Sequence, residues 1–235
     1  MILIVIIAAL FLAFFITTPM IVLFHELGHA FAYLILTKPE NINVFIGSYG
    51  VTEKSFNFRI GKLNLYFKKT FPIIKGGLCQ SSDIEYNYIK QIIILLAGSV
   101  FTVFAILVIS IIIFNTDAHG SIKLYCFMCI IFSIAGLFTN LTPRTIKIAG
   151  RDDLENDGKQ LRFVFRLKRL RRDYFQALEY IRENNIPEAI DKLTCILKAC
   201  PREEKILRLL SNLFIVEKKH SEALACIESL KKLII

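Results

Sequence analysis

Apolar residues run almost unbroken from Ile2 to Leu36, about 50 Å of chain if helical. Two further runs cover 89–114 and 122–141. A membrane span takes about 20 apolar residues, so each run predicts a spanning helix. The first is long for one span and contains Pro19. Thr17-Thr18-Pro19 offers little polar turn material, so one tilted or kinked helix is expected rather than a helical hairpin. Its start carries no basic segment, and its apolar run continues past any plausible cleavage site, so it reads as a span and not as a leader.

The pattern changes over 38–87. Val44-Phe45-Ile46-Gly47, Ser55–Ile60 and 62–67 read as short strands. Phe56, Phe58 and Ile60 alternate with Ser55, Asn57 and Arg59, and Gly61 marks a hairpin turn. The stretch 70–80 contains Pro72, Gly76 and Gly77, which suits an interrupted strand or a loop. Beyond 159 the apolar spacing turns helical and repeats every 34 residues. Ala177, Tyr180, Ala189 and Leu193 recur as Ser211, Phe214, Ala223 and Ile227. Small residues at these offsets mark where two helices of a hairpin approach closely, and Pro201 ends the second helix. Residues 170–235 resemble nearly two tetratricopeptide repeats. So few repeats are marginal alone, and they are expected to lean on a basic helix over 159–172, on the membrane part or on a partner.

Composition agrees with a membrane class. Of 235 residues 54% are hydrophobic, and the mean hydropathy is +0.54, too apolar for an ordinary soluble domain. The net charge of +9 is unevenly placed. Lys and Arg fill 38–90 and 144–235, whereas the connection 115–121 carries only Asp117 and His119. The positive-inside rule then puts the β-region and the C-terminus in the cytoplasm and the N-terminus outside. The basic character reports orientation and contact with anionic lipid, and nucleic acid is not needed to explain it. The Ile/Lys richness suits a bacterial plasma membrane. Cysteines 79, 126, 129, 195, 200 and 226 show no zinc-ribbon spacing. Cys126 and Cys129 read as small apolar residues of a span, and the others as reduced cytoplasmic thiols.

The candidate chemistry lies inside the first span, at His25-Glu26-Leu27-Gly28-His29. Each charged or strongly polar group at membrane depth costs about 2.5–3.5 kcal/mol, and a bound Zn²⁺ would compensate. Four residues apart on a helix, His25 and His29 share a face, and both imidazoles can reach one zinc at about 2.0–2.1 Å. Glu26 can then hold a water and act as general base. A catalytic zinc needs a third protein ligand. Asp157, followed by Gly158, is the best placed, with Asp152 and Asp153 as competitors. His29 lies about 12 Å from the helix end near Thr37 at 1.5 Å per residue. The site should therefore sit below the cytoplasmic surface, in a polar cavity.

An HExxH motif in a core span, a β-region, then Asn140-Leu141-Thr142-Pro143 and Asp157-Gly158 resembles the site-2 protease family of intramembrane zinc metalloproteases. Asn43-Val44-Phe45-Ile46-Gly47-Ser48-Tyr49-Gly50 is similar to the strand after that family's HExxH helix. Pro72-Ile73-Ile74-Lys75-Gly76-Gly77 is similar to its Pro/Gly-Gly segment, and Ala97-Gly98-Ser99 falls where it often has Gly-Pro. The resemblance covers about 15–160. It implies His25, His29 and Asp157 as zinc ligands, Glu26 as general base, and Asn140 as a group positioning substrate backbone or water. Two features depart from the pattern: Asp157 follows Asn140 by 17 positions, more than is usual, and Asn156 replaces the usual Leu.

The expected architecture is an α-helical membrane protein. A three-span metalloprotease core occupies 1–160, with a small cytoplasmic β-sheet in 38–87, and an all-α tetratricopeptide-like tail occupies 161–235. The expected activity is hydrolysis of a membrane-spanning protein or peptide by a zinc-activated water. An extended substrate would pair with an edge near Pro72, Gly76 and Gly77, and the tail would bind a cytoplasmic protein partner. The alternative is a catalytically inactive, membrane-anchored adaptor.

Overall fold

The computed structural model describes residues 2–69, 76–82, 87–148 and 153–234, with the backbone alone at 2–14, 16 and 234. The chain divides into two compact units, Met1–Leu161 and Arg162–Ile235.

In the first unit α1 (Ile2–Leu36) is one helix that continues through Pro19. It is followed later in the chain by α2 (Tyr88–Phe114) and α3 (Gly120–Leu141). Thr17–Leu36 of α1, α2 and α3 are each long and apolar enough to cross a membrane. The three helices are not equivalent. α2 packs along both α1 and α3, whereas α1 and α3 scarcely meet. The buried face of α2 carries Ile94, Gly98, Ser99, Thr102, Ile106 and Ser110 at helical spacing. Its opposite face exposes Val100, Phe104 and Ile111. The near ends of α1 and α2 are tied by polar caps. Asn87 Oδ1 accepts from the amides of Ile89 and Lys90 at 2.9 and 3.2 Å, and Lys90 Nζ donates to the Leu36 carbonyl at 2.8 Å. Helix ends otherwise leave such groups unpaired.

Between α1 and α2 lies a four-stranded sheet in the order β2-β3-β1-β4. Its strands are β1 (Ile42–Ile46), β2 (Ser55–Ile60), β3 (Leu63–Lys68) and β4 (Gly77–Ser81). β1 pairs parallel with β3 and antiparallel with β4. Ile42, Val44, Ile46 and Leu65 face Val22, Leu27, Ala30 and Leu34 of α1, so the core of the sheet is the helix itself. Full burial of Ile42 and Val44 contributes about 1.5–3 kcal/mol each. Two expectations are sharpened here. The stretch 70–80 ends in a true strand, β4, because Gly77–Ser81 finds a complete ladder on β1; Pro72 lies outside the described residues. The alternation of Phe56, Phe58 and Ile60 marks a strand, as expected, but one whose apolar side chains are left uncovered. β2 is an edge strand, and these side chains are 63%, 59% and 57% exposed.

After α3 the chain forms a minimal antiparallel ladder, β5 (Thr145–Ile146) with β6 (Leu154–Glu155), and enters α4 (Asp157–Arg166). The single basic helix expected over 159–172 is broken. α4 ends at Arg166, a turn covers 167–170, and α5 starts at Arg171. The break sets the Phe163 ring edge-on to Tyr174 with centroids 5.3 Å apart. On one straight helix these residues would stand about 16 Å apart along the axis.

The second unit continues with α5 (Arg171–Arg182), α6 (Ile186–Ala199), α7 (Glu204–Val216) and α8 (His220–Ile234), and α6, α7 and α8 each pack on the helix before. The 34-residue period is visible in the packing: Ala177, Ala189, Ser211 and Ala223 are all buried. It also recurs in the turns. Asn184 and Lys218 both adopt φ of 60°, and the next amides, Asn185 and Lys219, donate to Tyr180 and Phe214 carbonyls at 2.8 Å each. This is the left-handed helix stop that satisfies terminal carbonyls. Leu193→Ala, at a fully buried site, should lose about 2–5 kcal/mol in denaturant unfolding followed by circular dichroism. Leu224→Ala, 59% exposed, should stay within about 0.5 kcal/mol.

Candidate metal centre

His25 and His29 sit one helical turn apart on α1, with ring centroids 4.7 Å apart and nearly perpendicular planes. Their orientation is set from α2. His29 Nδ1 lies 2.7 Å from the Ile94 carbonyl, so Nδ1 carries the proton and donates, and Nε2 keeps its lone pair for the site. Such a bond fixes tautomer and ring plane together, as in metal-ligating histidines. The approach of α2 depends on small residues. A Cβ on Gly98 would overlap both imidazoles, and one on Gly28 would stand 2.6 Å from the Ala97 carbonyl oxygen.

Asp157 arrives from far along the chain as the first residue of α4. Its Oδ2 lies 3.0 Å from His25 Nε2 and 3.3 Å from His29 Nε2, and the two Nε2 atoms are 3.1 Å apart. A tetrahedral ion with bonds of about 2.0–2.1 Å has ligand–ligand edges of about 3.3–3.4 Å. The three donors therefore match one face of a tetrahedron closely, and the group could hold a metal ion. Among the described residues the group comprises His25, His29 and Asp157 and does not include Asp153; Asp152 lies outside them. Burial opposes ionisation of Asp157, but the contacts of its carboxyl with the His25 and His29 imidazoles outweigh it and hold the carboxyl well below the usual carboxylate range. At neutral pH it is an anion.

The 17-position gap between Asn140 and Asp157 is taken up by the β5–β6 ladder, which returns the chain to the end of α3. Asn156, buried at 5% exposure, locks that return. Its Nδ2 donates to the carbonyls of Asn140 and Thr142 at 2.9 and 2.8 Å, and its Oδ1 accepts from the amides of Arg144 and Lys159 at 2.9 and 3.0 Å. The last bond caps the N-terminus of α4. Next to it, Gly158 touches the Leu141 carbonyl so closely that a Cβ has no space. Sequence reasoning marked Asn156 only as a departure. The readable signal was an Asn three residues before Lys159 at a helix start, a cap pattern.

Asn140 is at the same place. Its Nδ2 is 2.8 Å from His25 Nε2 and 3.2 Å from Asp157 Oδ2. Glu26 is buried at 7% exposure, and β4 crosses it: a Cβ on Gly77 would stand 2.6 Å from Glu26 Oε1. Gly76 lies beside the Tyr49 hydroxyl with φ of 128°. All these groups line one cavity of about 370 Å³, whose lining also includes Thr18, Ser99, Thr102 and Ser133. The structure thus brings together His25, Glu26, His29, Asn140, Asp157, Gly76 and Gly77. All six cysteines are free thiols.

Compared with protein-family models, with curated proteins and with solved structures, the chain matches none.

Asn156→Ala should weaken metal binding by about 10–100-fold, the usual effect of losing a group that orients a ligand, measured by competition with a chromophoric chelator. His29→Ala and Asp157→Ala should each abolish stoichiometric metal in the purified protein, measured by atomic absorption.

Proposed function

We propose that this chain is an intramembrane zinc metalloprotease of the site-2 protease type, inserted in a bacterial plasma membrane with its site and C-terminus toward the cytoplasm. The observation that carries the reading is the convergence of Asp157 on His25, 132 positions away, and His29, with Glu26 in the same cavity. Two nitrogen donors and one carboxylate with space for a further ligand are the donor set of hydrolytic zinc sites. The cavity gives that arrangement the access to water that hydrolysis needs.

When bound, zinc supplies Lewis acidity towards a peptide carbonyl and towards water. His25, His29 and Asp157 would hold it. Glu26, one residue from the first ligand, takes the proton of the attacking water and passes it to the leaving amine. Asn140 holds Asp157 Oδ2 and offers its amide to substrate backbone. The substrate must be extended for its carbonyl to be attacked, because helical hydrogen bonds shield it. β4 is a sheet edge that lines the cavity, and a substrate strand can add to it by backbone pairing. Gly76 and Gly77 leave room for that strand beside Glu26.

The feature that favoured an inactive adaptor was the long gap before Asp157. The β5–β6 ladder accounts for its length, so it weighs nothing against activity. The paired hairpins of the tail, with their common turns, support a tetratricopeptide-like module that holds a cytoplasmic protein partner.

Glu26→Gln should keep stoichiometric zinc and lower the rate of peptide-bond hydrolysis by at least about 10²–10⁴-fold, the contribution of general acid–base catalysis. The check is cleavage of a reporter carrying a single spanning segment in reconstituted vesicles, alongside metal analysis. Cleavage at the parent rate would rule out this role for Glu26.

A further inference from the structure

The β2–β3 hairpin presents a surface that the proposed hydrolysis does not use. Phe56, Phe58 and Ile60 form a row along edge strand β2, each more than half exposed. They stand opposite Phe67, Leu65 and Leu63 of β3, which pack against α1. The row is thus the continuation of the sheet's apolar face beyond the cover of the helix. Residues 54–69 include five cations, Lys54, Arg59, Lys62, Lys68 and Lys69, and no acidic residue. Lys69 Nζ lies 4.8 Å from the centre of the Phe56 ring.

We propose that this hairpin is a lipid anchor, with Phe56, Phe58 and Ile60 inserted among acyl chains and the surrounding cations on anionic headgroups of the same leaflet. The inference rests on the membrane reading of α1–α3. The sheet packs along Val22–Leu34 of α1, within the stretch Thr17–Leu36 that is long and apolar enough to span. It therefore lies beside the spanning helix, not past its end, and its free apolar face meets the bilayer. Aromatic and aliphatic side chains ringed by Lys and Arg suit an interface of this kind, and long cationic side chains reach headgroups while their stems stay apolar. A second copy docked on this face would set five cations against five of the same sign. The anchor would hold β1 and β4 at a constant depth beside the metal centre.

The chain contains no tryptophan, so single Trp probes report one position each. Phe58→Trp, Asn57→Trp on the opposite face of β2, and Phe104→Trp on the exposed face of α2 are reconstituted in phosphatidylcholine–phosphatidylglycerol vesicles. The lipids carry bromine high on their acyl chains. Phe58→Trp should lose fluorescence relative to unbrominated vesicles, and Asn57→Trp should lose less. Replacing phosphatidylglycerol by phosphatidylcholine should reduce the loss at Phe58→Trp and leave Phe104→Trp unchanged. A quenched Phe104→Trp beside an unquenched Phe58→Trp overturns the anchor, whether water or another protein copy covers the face. Equal quenching of Phe58→Trp in both lipids overturns the role of anionic headgroups. An unquenched Phe104→Trp would instead remove the membrane reading, and metal content, unaffected by these probes, tests the centre separately.

Discussion

The contact on which the rest of this molecule depends is the meeting of one carboxylate oxygen, Asp157 Oδ2, with the Nε2 atoms of His25 and His29. Isolated, each of these groups is costly to bury among apolar helices. Together they converge at a spacing that suits a cation, which would satisfy all three. Many other features of the first unit bring the three atoms together or prevent competing contacts. The Ile94 carbonyl turns one imidazole, Gly98 admits both rings against α2, and Asn140 occupies the remaining side. A change in any of these would alter the position of a donor, and metal sites tolerate only about 0.2 Å in ligand distance.

The route by which Asp157 reaches the site shows how a short irregular segment can carry a long-range contact. Two pairs of ladder residues and one buried Asn return the chain to the end of α3. The four hydrogen bonds of Asn156 join the last carbonyls of α3 to the first turn of α4. A hydrophobic residue in its place would leave two donors and two acceptors to find other partners. Gly158 then allows the start of α4 to press on the Leu141 carbonyl. The ligand is held by backbone geometry on both sides, which is more rigid than a side chain on a free loop.

The sheet and the second unit use more familiar means. In the sheet, β1 is central, buried on α1 and paired on both sides, so it fixes the level of β4 beside Glu26. In the second unit, small residues set helix–helix distance and left-handed residues end the first helix of each hairpin. The two stops differ in chemistry: Asn184 adopts the left-handed region readily, whereas Lys218 does so at a cost of about 1 kcal/mol. That Lys218 is held there shows how strongly the packing of α7 on α8 dictates the turn.

Much of this was legible in the residues. Hydropathy and length located three helices, the period-two pattern located β2, short apolar runs located most of β1 and β3, and the 34-residue period located the hairpins. His25, Glu26 and His29 were readable because a helix fixes the relation of positions i and i+4 locally. What local patterns could not decide was anything that depends on where a distant segment returns. Asp157, Asp152 and Asp153 look alike as acidic loop residues. Only the β5–β6 ladder and the clamp of Asn156 place Asp157 at the imidazoles. The strand Gly77–Ser81 is weak by composition and exists because β1 offers it a partner. The row Phe56, Phe58, Ile60 has the alternation of a core strand, but order within the sheet left it uncovered. Periodicity and side-chain chemistry are properties of a few adjacent residues, so the sequence by itself determined the elements and two of the three donors. Convergence, edge position and exposure are properties of the closed chain, and those the tertiary structure decided.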